Sequence, residues 1–256
     1  MLSILIIPAA SALPPTYDKV VAGVSRHGYS IRALHTPSVG LATGPRPGKP
    51  PNMYDDAAFI ARHITDLAEA GHDVLLVTHS YGGTPATESV KGLTKIERQK
   101  LGKPGGVVGL AYMTSLVPEV GKPASTGLWS PLMEIGDDGW FYYPNDTITA
   151  KVVFSDVPLE QGLIWAKKLV THSAASFTSL LTYPGYADVP VAYLVAEGDL
   201  SITPGKQRAQ IEMIEQVSGN KVDVTTTSAG HVPPVTAPDD VVNWILSVAS
   251  KLETSR

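Results

Sequence analysis

The chain has no cysteine. Disulfide bonds, thiolate metal ligands and a cysteine nucleophile are therefore excluded within this sequence. Because no residue requires an oxidising compartment, we expect a cytoplasmic location. The N-terminal apolar run Leu2–Ile7 has no basic leader and is short for a signal peptide, so we expect it to form the first core strand.

Charge and long apolar runs are also scarce. Charged residues make up 17% of the 256 residues, and the formal net charge is −4. Without a basic patch, nucleic acid is not an expected partner, and no apolar run approaches the roughly 20 residues that span a bilayer. The sequence also has no metal-binding histidine array and no glycine-rich nucleotide loop. We therefore expect a small-molecule substrate, with no metal, cofactor or membrane as partner.

The most informative motif is Thr78–Gly83, which reads Thr-His-Ser-Tyr-Gly-Gly and follows the apolar run 73–77. A buried strand that turns at such a serine into a helix is typical of the nucleophile elbow of serine hydrolases. The turn would expose Ser80 at its tip, where the following helix N-terminus favours negative charge. Thr78 stands where the usual pattern has a glycine. Taken alone, the motif also fits an ordinary turn after a buried strand.

Two later strand ends supply an acid and a histidine. Val189–Ala196 is a predicted strand followed closely by Asp199, and Lys221–Thr227 is a predicted strand followed closely by His231. A serine hydroxyl needs an imidazole to take its proton and a carboxylate to orient that imidazole. The chain order serine, acid, histidine therefore predicts Ser80 as nucleophile, His231 as general base and Asp199 as orienting acid.

With these residues the chain resembles the α/β-hydrolase superfamily, in particular a cap-bearing branch that includes plant methylesterases and hydroxynitrile lyases. It is most similar to a fungal group of that branch whose elbows read His-Ser-Tyr-Gly-Gly. The resemblance spans nearly the whole chain, and the alternation of predicted strands and helices agrees with it. It implies an α/β fold with a mostly parallel central sheet, helices on both faces and an inserted, mainly helical cap. The core would comprise residues 1–117 and 189–256, and the cap residues 118–188.

The resemblance also implies an oxyanion hole made by the backbone N–H groups of Ala10 and Tyr81. The chain departs from the branch here, because Pro8-Ala9-Ala10 replaces His-Gly-Ala after the first strand. Some superfamily members take their acid from the preceding core strand, which makes Glu119 an alternative to Asp199. Glu197 is a further alternative.

The segment 118–188 interrupts the alternation of strands and helices and holds ten of the eighteen aromatic residues. We expect it to cover the active site, exclude water and line an apolar pocket. The alternative is that these aromatics only pack the segment against the core. The candidate substrate contacts are Trp129, Trp140, Tyr143, Trp165 and His172.

These residues predict a cofactor-free serine hydrolase that cleaves an ester or lactone through an acyl-enzyme. The substrate would be small and moderately apolar or aromatic. Two alternatives use the same pocket: a lyase or cyclase that employs the triad for proton transfer, and a ligand receptor without turnover. The fold does not separate them.

Overall fold

The computed structural model describes residues 1–124 and 132–254. In chain order the strands are β1 (Leu2–Ile7), β2 (Ser30–Ala33), β3 (Asp73–His79), β4 (Gly106–Met113), β5 (Glu134–Ile135), β6 (Trp140–Tyr142), β7 (His172–Ser173), β8 (Val191–Ala196) and β9 (Asp223–Thr227). Six of them form a parallel central sheet in the order β2-β1-β3-β4-β8-β9. The other three form a second, antiparallel sheet in the order β5-β6-β7.

Helices connect the strands of the central sheet. They are α1 (Asp18–Ser25), α2 (Met53–Glu69), α3 (Gly83–Ser89), α4 (Lys95–Lys100), α5 (Asp146–Val153), α6 (Leu159–Ala166), α7 (Ala175–Thr178), α8 (Pro204–Ser218), α9 (Pro233–Thr236) and α10 (Pro238–Thr254), with short 3₁₀ turns at Pro14–Tyr17, Ser80–Gly82 and Gly185–Ala187. Asn52 caps α2 by accepting the N–H groups of Tyr54 and Asp55. Proline and glycine crowd residues 36–52, and no helix forms there.

Both faces of the central sheet are buried under helices. Leu5 and Leu76 point towards α2, α3 and α8, whereas their neighbours Ile4 and Leu75 point towards α1 and α10. Because successive side chains of a strand alternate between faces, such strands are apolar throughout, and all six residues of β1 are buried. The predicted mostly parallel sheet with helices on both faces is confirmed.

The segment between β4 and β8 contains helices α5, α6 and α7 together with the small sheet β5-β6-β7. The sequence did not predict this sheet, because strands of two or three residues are too short to show an alternating pattern. One apolar cluster packs α5 and α6 against Val232 and Val235. Another packs Phe141 and Phe177 against Tyr81 of the core.

The strand order brings four loops together at the carboxyl ends of the central sheet. In parallel sheets this edge forms the ligand-binding crevice, particularly between neighbouring strands whose connections run in opposite directions. Here β1 and β3 are such neighbours, since β2 lies on the other side of β1. Among the described residues, no helix is both long and apolar enough to cross a membrane.

Candidate active site

The turn after β3 has the geometry of a nucleophile elbow. Ser80 adopts a φ of 52°, a left-handed conformation that few non-glycine residues take and that points to strain held in place for function. Glycine is required two and three residues after Ser80, at Gly82 and Gly83. A Cβ at Gly82 would lie 2.4 Å from the carbonyl oxygen of Ile7, and one at Gly83 would lie 2.7 Å from that of Leu116. The helix thus packs directly against the ends of β1 and β4.

Thr78, at the position of the missing glycine, is buried within the sheet. Its hydroxyl lies 2.7 Å from the Ser115 hydroxyl, which is also 3.1 Å from the Thr78 carbonyl oxygen. This pairing satisfies a polar side chain that burial would otherwise penalise. A threonine is therefore compatible with the elbow here because the loop after β4 supplies its partner, Ser115.

Ser80, His231 and Asp199 are connected by two hydrogen bonds, one from Ser80 to His231 and one from His231 to Asp199. The Ser80 Oγ is 3.0 Å from the His231 Nε2, and the His231 Nδ1 is 2.8 Å from the Asp199 Oδ2. The Asp199 carboxylate has no proton to donate, so His231 donates from Nδ1 and its Nε2 can accept the Ser80 proton. The N–H groups of Ser201 and Ile202 hold the other Asp199 oxygen at 2.7 and 2.9 Å. The arrangement fits general-base activation of a serine.

The two alternative acids lie elsewhere. Glu197 is exposed and forms an ion pair with Arg208 on α8. Glu119 is exposed beyond the end of β4. Of the three carboxylates that the sequence suggested, the structure brings only Asp199 to the histidine.

His79 joins the loop after β1 to the backbone of His231. Its Nε2 donates to the carbonyl oxygen of His231 at 2.7 Å, so its Nδ1 accepts from the Tyr17 hydroxyl at 2.9 Å. That hydroxyl in turn accepts the Ala9 N–H at 2.9 Å. Burial, with His231 nearby, lowers the pKa of His79 to about 3 and keeps the ring neutral. His79 therefore has a positioning role.

The oxyanion-hole candidates lie on either side of Ser80. The N–H of Ala9 is taken by Tyr17, which leaves that of Ala10, the next residue, as the candidate donor from this loop, and Ala10 lines the cavity at Ser80. On the other side, the Tyr81 hydroxyl donates to buried Asp56 at 2.7 Å, and its ring stacks on Phe177 with centroids 4.9 Å apart. Two contacts thus fix the residue whose N–H would face the oxyanion.

A cavity of about 150 Å³ opens at Ser80 and His231. Its walls are mostly apolar, and Tyr143 and Trp165 of the segment between β4 and β8 contribute to them. The structure buries Trp140 and His172, but neither lines this cavity; His172 packs against Tyr81 and Phe141. Trp129, also predicted as a substrate contact, falls outside the described residues. Among the described residues, no group of three or more His, Asp or Glu side chains is arranged to hold a metal ion.

Comparison with known proteins agrees with this geometry. The model of the "Alpha/beta hydrolase family" matches residues 4–244. The chain belongs to this family. The "Probable hydrolase R7" of the fungus Phoma sp. is 29% identical over 249 residues, covering 96% of this chain and 97% of that protein.

Solved structures show the same fold at low sequence identity. The pyrethroid hydrolase of Sphingobium faniae JZ-2 superposes with a TM-score of 0.75 at 20% identity, covering 98% of both chains. The methylesterase MES16 of Arabidopsis gives a TM-score of 0.73 at 16% identity, covering 98% of this chain and 99% of its own. The predicted α/β-hydrolase fold and the resemblance to fungal hydrolases and plant methylesterases are confirmed.

In this hydrolase, His172 links the small sheet to the loop that carries Ala10. Its Nε2 donates to the Ser176 hydroxyl at 3.0 Å, because that hydroxyl donates onward to the Ser173 carbonyl. Its Nδ1 must then accept the N–H of Ser11, 3.3 Å away. Burial lowers the pKa of His172 to about 3. Protonation would turn Nδ1 into a donor facing another donor and break this link.

We expect His172→Gln to weaken the acid sensitivity of the fold. The pKa of His172 is lowered on folding, so the unfolded chain binds a proton below about pH 6.5 that the folded chain refuses until about pH 3. Stability therefore falls as the pH drops, by about 1.4 kcal/mol per pH unit for this group. Glutamine reproduces the acceptor and the donor without titrating. Urea unfolding at pH 7.5, 6.0 and 5.0 should give a shallower pH dependence in the variant.

The matched control is His27→Gln, which removes a histidine from the exposed end of α1. Its slope of unfolding free energy against pH should stay steeper than that of His172→Gln. Parallel curves for the wild type and His172→Gln would contradict the assignment of a neutral, buried His172.

Sequence reasoning missed Tyr17 and Asp56. Both are fully buried polar residues whose partners lie far away in the chain, at His79 and Tyr81. Asp56 also accepts the N–H and hydroxyl of Ser38, and burial raises its pKa to about 6. The one available signal was a carboxylate among the apolar positions of an amphipathic helix, and that signal does not identify a partner.

Proposed function

We propose that this protein is a serine hydrolase that cleaves a carboxylic ester or lactone of a small, moderately apolar or aromatic substrate. The observation that carries the proposal is the continuous set of hydrogen bonds from Ser80 through His231 to Asp199, opening on an apolar cavity. Attack by the Ser80 Oγ forms a tetrahedral oxyanion, which the N–H groups of Ala10 and Tyr81 stabilise. His231 takes the serine proton and delivers it to the leaving oxygen. Water then hydrolyses the acyl-enzyme by the same route.

We further propose that residues 118–188 act as a cap over this site. Support comes from the cavity lining, since Met133, Tyr143, Phe154 and Trp165 all belong to this segment and meet core residues around Ser80. An apolar cover of this kind excludes water and strengthens each electrostatic interaction at the reacting atoms. The relatives named above, a pyrethroid hydrolase and a methylesterase, are consistent with ester chemistry in this fold. The absence of cysteine supports a cytoplasmic location.

Labelling with a fluorophosphonate tests the proposal directly. Because the reagent reacts only with an activated serine, we expect one equivalent to attach to Ser80, and hydrolysis of 4-nitrophenyl acetate to be lost with the same stoichiometry. Intact-protein mass spectrometry with peptide mapping measures both site and extent. Ser201→Ala is the matched control, because Ser201 lines the same cavity without contacting His231.

The outcomes separate the alternatives. Absent labelling, with no ester turnover, would favour a ligand receptor. Turnover that survives Ser80→Ala but not His231→Ala would indicate a lyase or cyclase that uses the histidine for proton transfer. Labelling at Ser201 in place of Ser80 would contradict the proposed nucleophile.

A further inference from the structure

The catalytic cavity carries a single formal charge in its wall. Of the described residues that line it, Lys168 is the only lysine, arginine, aspartate or glutamate, and the rest are largely apolar. Lys168 follows α6, in the segment proposed as the cap. Lys168 is exposed to solvent, so water screens its charge, but as the one charged side chain among the described lining residues it still attracts an anion to the mouth of the cavity.

Lys168 lies where the catalytic cavity meets a larger groove. This outer groove has a volume of about 870 Å³ and is lined by Lys167, Leu41 and Val170 among others. Four residues line both spaces: Thr16, Trp165, Lys168 and Leu169. A side chain that lines both spaces stands at their junction, so a ligand that extends from Ser80 into the groove must pass Lys168.

The ammonium group of Lys168 is held in place without being neutralised. Its Nζ lies 3.9 Å from the ring centroid of Trp165, a cation–π contact that fixes the position of the charge. In the part of the chain that the structure describes, no carboxylate lies within ion-pair distance of Lys168. An aromatic ring orients a cation but leaves its formal charge available to a ligand.

We propose that Lys168 binds an acidic group of the substrate, so that the preferred substrates are esters or lactones that carry a free carboxylate remote from the scissile bond. This inference rests on the proposed hydrolase function. A cavity of about 150 Å³ holds the reacting end at Ser80, and the remainder of the substrate extends past Lys168 into the outer groove. The acyl carboxylate released by the reaction forms at Ser80, so Lys168 recognises a second acidic group.

The test compares esters that differ only in charge. We would measure kcat and KM for 4-acetoxybenzoate and 3-(4-acetoxyphenyl)propanoate, each against its own carboxamide. In the wild type the carboxylates should have the lower KM. Lys168→Gln should raise the KM of the carboxylates about three- to tenfold and leave the carboxamides and all kcat values nearly unchanged. Lys168→Arg should retain the preference, and 0.5 M NaCl should weaken it.

Lys167→Gln is the matched control, since the neighbouring Lys167 lines the outer groove and not the catalytic cavity. It should keep the preference for carboxylates. The inference is overturned if Lys168→Gln affects carboxylates and carboxamides equally, if Lys167→Gln removes the preference as fully as Lys168→Gln, or if the wild type prefers the carboxamides.

A binding measurement separates this inference from the proposed function. In the Ser80→Ala background, ligand-observed NMR titrations should show tighter binding of 4-acetoxybenzoate than of its carboxamide, and the added Lys168→Gln should abolish the difference. If the wild type hydrolyses no ester but this binding difference is present, the hydrolase proposal fails and the anion site stands. If the esters are hydrolysed without any charge preference in KM or binding, only the anion site fails.

Discussion

Ser80→Ala should lower kcat for aryl ester hydrolysis by about 10³- to 10⁶-fold while leaving the protein folded. The Ser80 Oγ is the only heavy atom removed, and among the described residues it is the one side-chain atom within hydrogen-bonding distance of the His231 Nε2, at 3.0 Å. Alanine keeps the Cβ that makes the left-handed conformation unfavourable, so the strain at φ 52° is present in both proteins. The melting temperature should therefore change little.

Two measurements make this result decisive. Steady-state kinetics with 4-nitrophenyl acetate gives the loss, and calorimetric melting of the same sample shows that the variant is folded. Ser201→Ala, in the same cavity, should retain most of the wild-type kcat. A folded Ser80→Ala protein with undiminished hydrolysis would refute the nucleophile assignment.

Asp199→Asn should lower kcat on the order of 10⁴-fold at neutral pH, although the two side chains have nearly the same shape. The N–H groups of Ser201 and Ile202 donate to one Asp199 oxygen, so an asparagine oxygen takes that place and its NH₂ faces His231. The NH₂ donates to the His231 Nδ1 and drives the ring proton to Nε2. The imidazole then has no lone pair with which to accept the Ser80 proton.

Glu197→Gln and Glu119→Gln provide the matched controls, because each makes the same chemical change at an exposed carboxylate. Both should keep kcat within about threefold of the wild type, since neither side chain reaches the histidine. If Glu119→Gln proved more damaging than Asp199→Asn, the orienting acid would come from the end of β4, contrary to the observed contact between Asp199 and His231.

The fold and the three central residues were predictable because each depends on a local pattern. Ser80 and Asp199 follow apolar strand runs, His231 follows the β-branched strand β9, and parallel strands bring their carboxyl ends to one edge of a sheet. The preference for Asp199 over Glu119 rested on its place directly after a predicted strand, where the commoner layout of the superfamily has the acid. The strands before Ser80 and Asp199 can be recognised in a single sequence because a strand that is buried on both faces of the sheet is apolar along its whole length.

The contacts around the triad were not predictable, since they join residues far apart in the chain. Trp140 and His172 illustrate the difficulty. Aromatic residues concentrate wherever large apolar surface is buried, and a composition excess does not distinguish a pocket wall from packing behind it. Both residues are buried away from the cavity, whereas Tyr143 and Trp165 from the same segment line it. The strands of the small sheet have only two or three residues each, too few to show an alternating pattern of apolar and polar residues.

The order of the central strands has a consequence for how the chain can be divided. Ala10 follows β1, Ser80 follows β3, Asp199 follows β8 and His231 follows β9, while β4 lies between the serine and the acid in the sheet. No fragment short of nearly the whole chain contains the complete site, and every pairing that assembles it closes a long loop. A break between β4 and β8 would leave the nucleophile on one piece and both its partners on the other. Catalytic activity in such a split protein would therefore report the reassembly of the two pieces.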